Sequence, residues 1–211
     1  AASPTRFRGV RHISTWDASP DILSRKIPGL LLNPKFRDGF ACLQKYGLSF
    51  DAWMYHTQLL DLVDLARAFP DTTIILNHVG TPLGIGPYAG KRKEVFQEWK
   101  RGIAALATCP NVVVKLGGFG MPHQGFIWND RPTPPDSTEL AGAIEPYFVW
   151  CISKLGADHC MFESNFPVDK EGFSYNILCN AFKRLTKGFS PTERAALFHD
   201  TAVKVYRLTT N

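Results

Sequence analysis

Apolar residues along the chain follow two alternating patterns: short continuous β-branched runs, which mark buried strands, and runs with apolar positions three and four apart, which mark helices. Thr72 to Gly80, TTIILNHVG, is the clearest strand signal. Pro70-Asp71 precedes it, Gly80-Thr81-Pro82 ends it, and it is apolar on both faces, as in a buried parallel sheet. The same reading predicts strands at Val10 to Ile13, Ser49 to Tyr55, Asn111 to Gly117 and His159 to Ser164. A first helix opens at the capping pair Asn33-Pro34 and carries Phe36, Phe40 and Leu43 at helical spacing until Gly47. Gln58 to Phe69 and Lys91 to Thr108 continue the pattern, the latter with Val95, Trp99, Ile103 and Leu106 facing inward. Ser137 to Leu155 is predicted helical, with Pro146 marking a kink or a second start. Phe173 to Lys187 follows, then a helix opened by the capping box Ser190-Pro191-Thr192-Glu193, then a short one over Thr201 to Leu208. Five strands alternating with helices predict an α/β fold with a parallel sheet, either open and doubly wound or part of a closed barrel.

In such sheets ligands bind beyond the carboxyl ends of the strands. His78 closes the clearest strand just before a Gly/Pro-rich loop, which makes it the first candidate for chemistry. Lys115 stands inside an otherwise apolar strand and needs a partner; Glu163, on the neighbouring strand, is the expected one. Gly117 to Pro135 is too long for an ordinary connection and reads as a lid or binding loop.

Composition changes this picture little. The 211 residues are 45% hydrophobic and 20% charged, enough for one domain with a real core. The net charge of +5 comes from dispersed Lys and Arg, so no nucleic-acid surface is expected. Five cysteines without a C-x-x-C pair read as free thiols, and no apolar run is long enough for a membrane span. A soluble cytoplasmic protein is expected.

Six segments, taken together and in order, change it more: GVRHIS, FDAWMYHTQ, IILNHVG, NVVVKLGG, MFESNFPVD and TAVKVYRL. They resemble the amidohydrolase-related metal-dependent hydrolases, in the branch containing 2-pyrone-4,6-dicarboxylate lactonase. The resemblance implies a TIM-type (β/α)8 barrel of which this chain supplies the fourth to eighth strands, N-terminally incomplete, as a single domain over residues 1–211. It also implies a hydrolase acting on a lactone or ester-like bond of a small, anionic, carboxylated substrate. A decarboxylase of the same superfamily is the alternative, and a non-catalytic fragment or subunit another.

Two departures from the family accompany the match. No H-x-H pair occurs, and Ser164-Asn165-Phe166-Pro167 stands where the family has Ser-Asp-x-Pro. The resemblance makes His78 and Asn165 the catalytic candidates. Arg11, Tyr55, His56, Lys115 and Arg131 are the substrate-binding candidates, with His123 and Arg131 in a loop that closes over the ligand. His78 and, more weakly, His56 are the metal-ligand candidates. With two neutral imidazoles and an amide, no tightly bound ion is expected in this chain, although a full-length enzyme could hold one divalent metal such as zinc. The expected partners are a small molecule and, for closing the barrel, an N-terminal segment or a second copy.

Overall fold

The computed structural model describes residues 6–25 and 27–209. Five strands, β1 (Gly9–Ile13), β2 (Ser49–Trp53), β3 (Ile74–Leu76), β4 (Val112–Leu116) and β5 (Cys160–Phe162), form one sheet in sequence order, every neighbouring pair parallel. The helices are α1 (Pro34–Lys45), α2 (Leu59–Ala68), α3 (Arg92–Leu106), α4 (Ser137–Leu155), α5 (Tyr175–Leu185), α6 (Pro191–Ala195) and α7 (Thr201–Tyr206). Local chemistry sets their starts: Asn33, Asp136, Ser174 and Ser190 each accept a backbone N–H of the first turn. Pro146 neither breaks α4 nor starts a second helix; its 19 residues run through it. The observed β3 and β5 are shorter than the predicted strands, so the chemically interesting residues lie just past the strand ends.

The two sheet faces are covered differently. Phe50, Ala52, Ile74, Leu76, Val112, Val114 and Cys160 join Phe40, Leu62, Trp99, Ile103, Phe148 and Phe182 in the main core, so α1 to α5 share one face. A doubly wound sheet would reverse its strand order and place helices on both faces; the order without reversal and the one-sided helix layer are those of a barrel arc. On the other, inner face Ile75, Val113 and Met161 pack under Ala202, Val205 and Tyr206 of α7. All five cysteines are free. Among the described residues no helix is long and apolar enough to cross a membrane.

Candidate active site

Strand alternation puts Arg11, Asp51, Lys115 and Glu163 on the inner face, and it would put His78 on the outer face with Ile74 and Leu76. The backbone prevents that. His78, Val79 and Thr81 have φ of 54°, 48° and 39°, a left-handed stretch that turns the imidazole back over the strand ends. Such residues cost of order 1–3 kcal/mol each and persist only where surrounding structure enforces them. Here the Trp99 indole donates to the Val79 carbonyl at 2.6 Å, and the Trp53 indole donates to Thr81 Oγ1 at 3.1 Å.

The redirected His78, about 1% exposed, is gripped from both sides. Its backbone N–H donates to Glu163 Oε1 at 3.0 Å, and its Nδ1 meets the same oxygen at 2.5 Å. On the other side Arg11 Nη2 donates to His78 Nε2 at 3.0 Å. A guanidinium can only donate, so Nε2 carries the lone pair and Nδ1 the proton. Burial works against a charged Glu163. The pull of the His78 imidazole, its N–H donors and the Lys115 ammonium outweigh burial and hold the Glu163 carboxyl below its usual range.

A second network adjoins this one. Lys115 Nζ pairs with Asp51 Oδ1 at 2.7 Å, and Tyr206 Oη donates to the same oxygen at 2.8 Å. The Asn77 amide, oriented to satisfy both neighbours, donates to Asp51 at 3.1 Å and accepts from Arg11 Nε at 3.2 Å. The expected Lys115–Glu163 pair is therefore not formed. Glu163 is occupied by His78, and its register, two residues beyond Lys115's neighbour Met161, leaves Lys115 to reach across the sheet to Asp51.

The loop after β4 fits this assembly through glycines. A Cβ at Gly117 would lie 2.4 Å from Glu163 Cγ, and one at Gly118 would lie 2.6 Å from His78 Cβ. At Gly120 it would lie 2.6 Å from Asp169 Cβ. Asp169 is about 1% exposed; its Oδ1 accepts from Asn165 Nδ2 at 2.7 Å, and its Oδ2 has no hydrogen-bond partner. Asn165 is itself left-handed, at φ 51°. His123 lies over the site from the loop, its ring 6.2 Å from Trp53 and 6.0 Å from Tyr55.

Other sequence candidates lie elsewhere. His56 follows Met54 into the outer layer, where its Nδ1 accepts from the Leu83 N–H at 3.3 Å and its ring meets Tyr88. Burial pushes its imidazole down to about 4. Tyr55 is buried, its hydroxyl spent on the Leu23 carbonyl, so it backs the site and does not reach into it. Arg131 does not close over the site: it sits on the surface, paired with Glu139 at 2.5 Å. His56 and His78 are thus not a ligand pair, and the second nitrogen of His78 faces a guanidinium. Among the described residues no group of three or more His, Cys, Asp or Glu could hold a metal ion. Asp51, Trp53, Asn77, Asp169 and Tyr206 were not legible as site residues, although Asp51 carries the same signal as Lys115, a charge inside a buried strand.

The family model described as Amidohydrolase matches residues 2–208. An uncharacterised protein of Sinorhizobium fredii is 39% identical over 202 residues, which are 96% of this chain and 61% of that protein. An L-fucono-1,5-lactonase of Burkholderia ambifaria is 25% identical over 98% of this chain and 63% of its own. A crystal structure of a Burkholderia multivorans amidohydrolase with bound zinc superposes with a TM-score of 0.79 at 24% identity, covering 96% of this chain and 65% of that one. The chain spans less than two thirds of the length of these relatives.

Proposed function

Because the chain belongs to the amidohydrolase family, we propose that it hydrolyses the ring ester of a small, uncharged, polyhydroxylated lactone, with His78 as the base that activates water. The observation that carries this reading is the Glu163–His78–Arg11 chain. Glu163 fixes the tautomer that leaves the Nε2 lone pair outward, and among the described residues the group on that lone pair is Arg11, which is exposed and on an edge strand. A lactone carbonyl entering beside Arg11 takes over its N–H donors, which frees Nε2 to accept a proton from water. The guanidinium then stabilises the oxyanion as it develops.

Charge balance supports an uncharged substrate over the carboxylated one expected from the sequence. Among the described site residues, Lys115 is neutralised by Asp51, and Glu163 offsets Arg11. No surplus of positive charge waits for a dicarboxylate, whereas the L-fucono-1,5-lactonase relative acts on a sugar lactone, as its name states. The half-buried Trp53 ring beside Arg11 offers an apolar wall to a sugar's C–H face. Zinc in one similar structure points to a metal in the family, but the residues described here do not fit one. One ring nitrogen of His78 is bound to Glu163 and the other faces a cation, which leaves neither open to an ion.

The test is acid release from sugar 1,4- and 1,5-lactones and from a pyrone dicarboxylate. Sugar lactones are hydrolysed, and His78→Asn lowers the rate by about 100-fold or more. Preference for the dicarboxylate overturns the uncharged-substrate reading, and hydrolysis of none of them overturns the lactonase reading.

A further inference from the structure

One buried carboxylate at the site has no part in the reaction as described so far. Asp169 lies four residues beyond Asn165, in the short 3-10 turn Val168–Glu171, and the two side chains are bonded to each other. It belongs to the same cradle as the base. Gly117, Gly118 and Gly120 lie flush against Glu163, His78 and Asp169 in turn, so three close backbone approaches seat three titratable side chains. Larger residues at those positions would push each one out of place. Of the three, only Asp169 keeps an oxygen, Oδ2, without a hydrogen-bond partner while buried as fully as His78 itself. An unpartnered buried carboxylate oxygen calls for a reason, and a proton is the simplest occupant.

From this cradle we infer that Asp169 is the proton donor to the ring oxygen that leaves when the lactone opens, and that Asn165 is the residue that positions it. The inference rests on the lactonase reading. It also accounts for Asn165, whose amide takes up no proton but can hold one carboxyl oxygen and leave the other free. Burial pushes the Asp169 carboxyl up to about 6, only partly offset by the Asn165 donor and by the nearby Gly120 backbone and His78, while the Glu163 charge adds to the rise. A protonated population is thus available near neutral pH.

Proton and electron accounting is simple. Water's oxygen bonds to the carbonyl carbon as its proton passes to His78 Nε2. The bond from that carbon to the ring oxygen breaks, the electron pair stays on the ring oxygen, and the Asp169 proton is transferred to it. The product is a hydroxy acid, and His78 returns its proton to Asp169 through water.

Leaving-group dependence tests this directly. An alkoxide leaves badly without a proton, whereas a phenolate leaves well unaided, so the probes are an aliphatic sugar lactone and the aryl lactone dihydrocoumarin. Asp169→Asn keeps the size of the side chain and an oxygen for Asn165 Nδ2. The variant is expected to slow the aliphatic lactone roughly 100-fold and the aryl lactone far less. A purely structural role would lower both rates together. Equal losses on the two substrates, or no loss on either, overturn the role of Asp169 while leaving the lactonase reading intact. A wild-type protein that opens neither lactone overturns both. Asn165→Ala should reproduce the same selectivity in weaker form, and equal losses there overturn its positioning role.

Discussion

Gly118 offers a test of the site that removes none of its polar atoms. Its φ of +81° suits glycine, and a Cβ there would stand 2.6 Å from His78 Cβ, 2.8 Å from Cγ and 2.9 Å from Nδ1. Ordinary contacts begin near 3.4 Å, so Gly118→Ala requires the imidazole or the loop to yield by most of an ångström. The left-handed backbone costs about 1–2 kcal/mol for alanine. Displacing a packed side chain adds about 1–3 kcal/mol, for a total loss of about 2–5 kcal/mol. The same shift pulls Nδ1 from Glu163, and a misplacement of about 1 Å costs about 100-fold in rate. Gly142→Ala in α4 is the control: nothing lies within 4 Å of its Cβ, and it should gain about 0.5–1 kcal/mol with activity intact. Urea unfolding and steady-state kcat on a sugar lactone read both effects. A folded Gly118→Ala protein with wild-type kcat would show that the position of His78 against this loop does not govern the reaction.

Two further outcomes concern buried charges. Lys115→Met leaves Asp51, whose side chain is 10% exposed, with only neutral donors, so urea unfolding should show a loss of about 3 kcal/mol; under 1 kcal/mol would mean the pair is effectively solvated. His56 has a folded pKa of about 4 against 6.5 for the free side chain, so the unfolded chain binds the extra proton and stability falls as pH drops from 6.5 toward 4. The slope reaches about 1.4 kcal/mol per pH unit, roughly 3 kcal/mol in all, and His56→Asn should flatten that part of the profile; an unchanged slope refutes the assignment.

Elements and their order were legible in the sequence because burial imposes its period on the residues: TTIILNHVG and NVVVKLGG are strands by composition and boundaries alone. The facing of His78 was not. Left-handed φ at His78, Val79 and Thr81 carries no residue-type signature, and it overrides the alternation that placed His78 with Leu76. Alternation did place His56 with Met54, and there the backbone did not intervene, so the histidine went outward. The solitary charge in NVVVKLGG correctly announced a buried pair, yet naming its partner required knowing that Glu163 was already held by two N–H groups. Asp169 and Tyr206 reach the site from a turn and a distant helix, which no strand pattern can foretell.

The bond from Tyr206 to Asp51 spans 155 positions and sets an order of events during synthesis. Asp51 leaves the ribosome long before Lys115, and Lys115 long before the helix that carries Tyr206, so a half-made chain holds these charges without their final companions. Contacts of such long range also close late in folding. The Asp51 network is therefore completed only after α7 has emerged, and a nascent chain stalled before that helix would carry Asp51 without its tyrosine donor. A protease clipping the same helix would uncover Ile75, Val113 and Met161 and strip Asp51 of that donor, with His78 and Arg11 untouched.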